Sequence, residues 1–279
     1  MEELYSIGGH LSTLNSTLPA DESFFLPLGE EISFPDVCIW TVLWYTFFRN
    51  SKGGISMKRT KLADRILPNY TRGEEIMNMV THIVGGAIGI VALTLCVIFA
   101  AIRGNVYGIV TSAIYGTTMI TMFTISSVYH GLKPTLGKKV MQVIDHCTIY
   151  FLIAGSYTVI VLSAMQPLYP VLAWMIFGFE WALAALATTL TAIDLKKYSV
   201  FSMICYIGMG WAVIPFWRQT YEVLTAPGFF LLLAGGIAYT VGSILYGLGK
   251  KRKWMHSIFH IFVNLGALLQ FLSVLLYAV

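Results

Sequence analysis

The chain has 279 residues, 57% of them hydrophobic and only 11% charged, with a formal net charge of +4 and a mean hydropathy of +0.72. Soluble domains carry about 25% charged residues, so this composition excludes an ordinary soluble enzyme and describes an integral membrane protein. The modest charge sits in groups that flank apolar runs, which gives no reason to expect a nucleic-acid partner. Those runs do not alternate polar and apolar residues, which excludes a transmembrane barrel. Cys38, Cys96, Cys147 and Cys205 are single and scattered, so they read as small apolar residues rather than as disulfides or a thiolate zinc site.

Residues 1–56 differ from the remainder. They hold seven acidic and two basic residues, whereas 57–279 hold seven acidic and sixteen basic. The apolar run from Val37 to Phe48 is short for a bilayer span and lacks the basic start and cleavage site of a signal peptide. An interfacial or re-entrant segment is one reading. Another is preferred: Lys52-Gly53-Gly54-Ile55-Ser56 can be encoded by a purine-rich ribosome-binding sequence just before the Met57 codon. In a bacterial source Met57 would then be the start, and 1–56 an extension to be set aside before the fold is considered.

From Met57 a basic leader runs to Arg72, and seven apolar spans follow at about 77–102, 106–130, 141–163, 168–192, 199–217, 223–247 and 254–278. Gly or Pro punctuates several of the short connections, at Gly104, Gly131, Pro134, Pro167, Pro227 and Gly249. Fourteen lysines and arginines fall on one side of this topology, from Lys58 through Lys138 and Lys196 to Lys253; only Arg103 and Arg218 fall on the other. The positive-inside rule then sets the leader in the cytoplasm and Val279 outside. The expectation is an all-α, multi-pass, seven-helix protein of the cell membrane over 57–279.

On that topology the unusual polar residues share one slab. Glu75, Asn78 and His82 begin span 1, Ser126 and His130 end span 2, Asp145 and His146 open span 3, and His256 and His260 open span 7. Four residues advance a helix by about 400°, so His256 and His260 share a face and suit one metal ion. His130, His256 and His260 could supply the three nitrogens of a catalytic zinc site, which keeps an open position. Asp145 could accept a proton from a metal-activated water, with Ser126 one turn before His130 holding that water. Glu75, Asn78 and His82 form a polar stripe that supports the ligands from behind. Asp145 could instead simply complement its helix dipole. His82 and His146 read as packing residues outside the ligand set. Glu180, in the middle of span 4, is expected to be protonated, to face a water cavity or to be paired, and Asn264 and Gln270 read as interhelical glue.

Glu75-x2-Asn78-x3-His82, Ser126-x3-His130, Asp145-His146-x2-Ile149-Tyr150 and His256-x3-His260 together resemble the hemolysin III and progestin/adiponectin receptor family over about 57–279, and the short loops resemble its bacterial hemolysin III branch. The resemblance implies a seven-helix fold with its N-terminus inside and zinc on His130, His256 and His260, with Asp145 and Ser126 around the metal water. Eukaryotic relatives are associated with ceramide amide hydrolysis, and the bacterial branch takes its name from cytolysis. Three functions follow as expectations: a zinc-dependent hydrolase of a membrane lipid amide or ester, a pore-forming cytolysin, or a receptor or lipid sensor with structural zinc.

Overall fold

The computed structural model describes residues 59–248 and 252–279. The extension over 1–56 and its apolar segment lie outside the described residues. The chain divides into two units, Met1–Met57 and Lys58–Val279, and all that follows concerns the second.

Among the described residues there are seven α-helices and no strand. They are α1 (Arg72–Ile102), α2 (Val106–Gly131), α3 (Leu136–Val159), α4 (Pro170–Ile193), α5 (Ser199–Gly210), α6 (Trp217–Leu248) and α7 (Met255–Ser273). Helices α3 and α7 continue as π-helical turns, Ile160–Met165 and Val274–Ala278. Among the described residues six stretches are long and apolar enough to cross a membrane, and one of them is the 49-residue Ser199–Gly247, which contains α5 and all but the last residue of α6. That stretch is interrupted at Trp211–Phe216, beside Pro215, and bends again at Thr225 (φ 57°), two residues before Pro227. Each proline lacks an N–H and its ring crowds the carbonyl four residues earlier, which breaks the helical ladder there.

Helix α1 starts with a capping box. The Thr71 hydroxyl accepts the Glu74 N–H, and Glu74 Oε2 accepts the Thr71 N–H at 2.9 Å. Its buried residues Asn78, His82, Gly85, Gly89, Ala92, Cys96 and Ala100 recur every three or four positions. The face is small, so α2 comes close: a Cβ on Gly85 would stand 2.4 Å from the Phe123 ring, and one on Gly116 would stand 2.5 Å from Leu93 Cβ. Small residues are how helices pack where lipid supplies no hydrophobic drive. Helix α7 packs on both α1 and α6. Asn264 donates to the Thr81 carbonyl at 2.7 Å, the interhelical role expected of it.

At one end of the bundle Arg103 Nη1 donates to the Val279 carbonyl, joining the ends of α1 and α7. At the other end lie the starts of both helices, together with the leader. The leader is tied down by Asp194, whose carboxylate accepts the N–H groups of Thr60 (2.8 Å), Lys196 and Lys197 (both 3.1 Å). Burial pushes the Asp194 carboxyl up, but these hydrogen bonds more than offset it and hold the group below the ordinary carboxylate range. Glu180 is fully buried on the inward face of α4, and neither of its carboxyl oxygens has a hydrogen-bond partner.

Candidate metal centre

His256 and His260 face the same way one turn apart on α7, with their Nε2 atoms 3.0 Å apart. His130, at the end of α2, brings its Nε2 to 3.3 Å from that of His256. One nitrogen from each of the three lies within 4.8 Å of the other two, so the group could hold a metal ion. The spacing fits: nitrogens about 2.0–2.1 Å from a tetrahedral ion stand roughly 3.3 Å from each other.

For His130 and His260 the opposite ring nitrogen indicates which atom is free to ligate. His130 Nδ1 lies 2.7 Å from Glu75 Oε2, so it donates there and leaves Nε2 bare. The other Glu75 oxygen accepts Lys138 Nζ at 2.6 Å, and Lys138 also donates to the carbonyls of Leu132 (3.0 Å) and His130 (3.4 Å) at the end of α2. His260 Nδ1 lies 3.3 Å from the Asn78 carbonyl, which gives it the same tautomer. Asn78 Oδ1 accepts the Ser257 hydroxyl at 2.6 Å and so binds α1 to the helix that carries two of the histidines. His256 is stacked on Tyr70 of the leader, ring centroids 5.0 Å apart. His82 stacks on His260 at 3.8 Å, and neither of its nitrogens is hydrogen-bonded.

His82, His256 and His260 line a cavity of about 440 Å³, whose wall also includes Ser126, Asp145 and His146 and extends to Ile149, Val263, Tyr157 and Gln270. Ser126 lies within polar reach of Asp145. His146 donates from Nδ1 to the Gln142 carbonyl at 2.8 Å, a packing role. Seven expected residues, Glu75, Asn78, His82, Ser126, His130, His256 and His260, thus meet at one end of the bundle, and Asp145 lines the cavity beside them.

Residues 70–271 match the family described as "Haemolysin-III related". The chain belongs to the haemolysin III-related family. It is 36% identical over 204 residues to "Hemolysin-3" of Bacillus cereus, a match covering 73% of this chain and 91% of that one. It is also 36% identical over 210 residues to the "Hemolysin-3 homolog" of Bacillus subtilis (strain 168), covering 75% and 97% respectively. A more distant match, 27% over 176 residues, is the human "Monocyte to macrophage differentiation factor", covering 59% of this chain and 69% of that protein. No solved structure matches significantly. The matched range contains every histidine of the haemolysin III-related site, together with Glu75, Ser126 and Asp145.

Several residues of this site were not visible in the sequence. Lys138 reads there as one more loop cation, yet it is 4% exposed and every direction of its ammonium is used. Tyr70 and Ser257 carry no motif. Glu74 did carry one, the Thr71-x2-Glu74 capping box; its Oε1 also accepts the Trp254 N–H at 2.6 Å, where Trp254 takes the left-handed conformation (φ 65°) that launches α7.

Proposed function

We propose that this haemolysin III-related membrane protein is a zinc-dependent hydrolase of a membrane lipid amide or ester. One observation carries the reading: His256 Nε2 lies 3.0 Å from His260 Nε2 and 3.3 Å from His130 Nε2, with one nitrogen of each ring within 4.8 Å of the other two, beside a largely apolar cavity that His256 and His260 line together with a carboxylate and a hydroxyl. His130, His256 and His260 would hold the ion. When bound, zinc would supply Lewis acidity, polarising a carbonyl and lowering the pKa of water towards ~7. Asp145 would take a proton from the attacking water as the new C–O bond forms. It would return that proton to the leaving nitrogen or oxygen as the C–N or C–O bond breaks. Ser126 would orient the water by hydrogen bonding to it. The apolar wall around Ile149, Leu152 and Val263 would take an acyl chain and exclude bulk water.

The site would face the cytoplasm, as the fourteen basic residues at that end suggest. Seven crossings are supported by the Ser199–Gly247 stretch: residues at both of its ends, Ser199 and Tyr246, line the same cavity. A straight helix of that length would run roughly 70 Å, more than twice the ~30 Å hydrocarbon layer, so it goes out and returns.

The name hemolysin, carried by both Bacillus relatives, motivates a cytolytic alternative, and a structural-metal sensor is the other. A closed site would need a fourth ligand, and His82 lies face to face with His260 instead. The test is metal analysis of purified protein followed by assay on a panel of lipid amides and esters. About one zinc per chain is expected, lost from the Ala variants of His130, His256 or His260 and largely kept in His82→Ala. Asp145→Asn should keep zinc and lose roughly 10²–10⁴ in rate. No turnover by the zinc-loaded wild type would leave the cytolytic and sensor readings ahead.

A further inference from the structure

The leader carries several cations, and they are treated differently. Arg59, Lys61 and Arg72 are exposed, as basic residues beside a membrane usually are. Arg65, just after the short 3₁₀ turn Leu62–Asp64, points inward and is 8% exposed. Its Nε and Nη1 are shut off from solvent, and no group accepts a hydrogen bond from either. The guanidinium lines the same cavity as Ser126, Asp145, His256 and His260, whose wall also includes Thr60, Lys196 and Ser199.

A buried cation without a partner is costly, because its hydration is lost and nothing replaces it. This fold shows what it does with a buried cation that is purely structural: Lys138 is surrounded by a carboxylate and two carbonyls. Arg65 has no such arrangement. Asp64 and Asp145 share the cavity wall but form no ion pair with it, and Asp194 is occupied by three backbone N–H groups. A guanidinium whose Nε and Nη1 are buried without an acceptor on the wall of a cavity is therefore suited to a ligand that brings its own negative charge.

We infer that Arg65 is the anion subsite of this cavity and holds the phosphate of a phosphate-bearing lipid. The order of groups along the cavity favours that class. The cation is at the leader, the nucleophile-handling residues and histidines follow, and the apolar wall at Ile149, Leu152 and Val263 comes after. A phospholipid presents phosphate, ester linkage and acyl chain in the same order. A fatty-acid carboxylate would have its charge at the histidines, not at the leader. The planar guanidinium fork also matches phosphate oxygens in shape. That the bound lipid is then cleaved rests on the hydrolase reading above; the binding does not.

The test uses the full chain in a neutral detergent after removal of metal by chelation, so the result stands whether or not the protein is a hydrolase. Calorimetry compares a lysophosphatidic acid with the monoacylglycerol of the same chain, which lacks only the phosphate. Wild type should bind the phosphate-bearing probe at least about tenfold more tightly. Arg65→Met should erase the difference while still binding the monoacylglycerol, and Arg65→Lys should retain part of it. Without ligand, Arg65→Met should melt at the wild-type temperature or above, because an unpaired buried charge has been removed; a clear fall would mean that Arg65 is paired within the fold and would overturn the assignment. Equal affinity of wild type for the two probes, or a preference that survives in Arg65→Met, would do the same. Millimolar inorganic phosphate should leave the lipid probe bound, and displacement by it would make the site one for soluble phosphate and not for a lipid.

Discussion

Glu75 stands between a histidine and a lysine, and its two oxygens serve them separately: Oε2 takes the proton of His130 Nδ1 and Oε1 takes Lys138 Nζ. The carboxylate holds the imidazole in one tautomer, and the lysine holds the carboxylate in one rotamer. Removing such a partner from behind a ligand typically lowers metal affinity 10–100-fold. Glu75→Gln should therefore bind zinc roughly 10–100-fold more weakly by competition with a chromogenic chelator, with the fold retained. Lys138→Met should lower both zinc affinity and melting temperature, because it also strips the carbonyls at the end of α2 of their donor. Unchanged zinc affinity in both variants would show that His130 is positioned by packing alone. At this scale the sequence was informative where periodicity speaks and silent where it does not. The i, i+4 spacing of His256 and His260 announces a shared face, and helix alternation brings His130 to the same end. Nothing in a lysine three residues into a helix says that it turns inward, and Arg65 counts towards orientation whether it is solvated or buried.

Between elements, closeness is set by absent side chains. On Gly116 an added Cβ would meet Leu93 at its Cβ (2.5 Å) and Cα (2.7 Å), and backbone cannot swing aside. Gly116→Ala should thus destabilise by about 1–3 kcal/mol in a detergent melt, as overpacking does. Gly178, on α4, has nothing within 4 Å of such an atom, so Gly178→Ala should be neutral or gain up to ~1 kcal/mol from helix propensity. The leader makes a second prediction. Asp194 is held below the ordinary carboxylate value of 3.8 in the folded protein. Its contribution is therefore complete above that value and lost as pH falls through the lower folded pKa. A spin label on an Ala63→Cys variant should be immobile at pH 5 and become mobile on strong acidification, while adding Asp194→Asn should free it at every pH. The helices themselves were largely legible from apolar run length. The exception is the region 199–247: run length places the break at 218–222, between the spans 199–217 and 223–247, whereas the wider interruption falls at Trp211–Phe216, because Pro215 already breaks the ladder there.

For the whole molecule the topology can be read chemically. Val106, at the start of α2, and Arg218, at the start of α6, are exposed, as is Gly137 in the first turn of α3. With the four native cysteines replaced, an impermeant maleimide on intact cells should label Val106→Cys and Arg218→Cys, and Gly137→Cys only after permeabilisation. Labelling of Arg218→Cys only after permeabilisation would mean that Ser199–Gly247 does not go out and return. One contact in this frame bears on how the protein is made. The Glu74 carboxylate that caps the first helix also receives the Trp254 N–H at the head of the last, 180 positions later. At roughly 5–20 residues per second, the ribosome separates those two partners by on the order of 10–40 s. Throughout that interval Asn78 lacks Ser257, and His130 faces no second imidazole. The three-nitrogen cluster can come together only after the final helix has left the ribosome and docked against the first. Zinc retention would therefore report that synthesis ran to its end: a chain truncated before Met255 would insert most of its helices in the bilayer and still be unable to keep the ion, a distinction that membrane quality control could act upon.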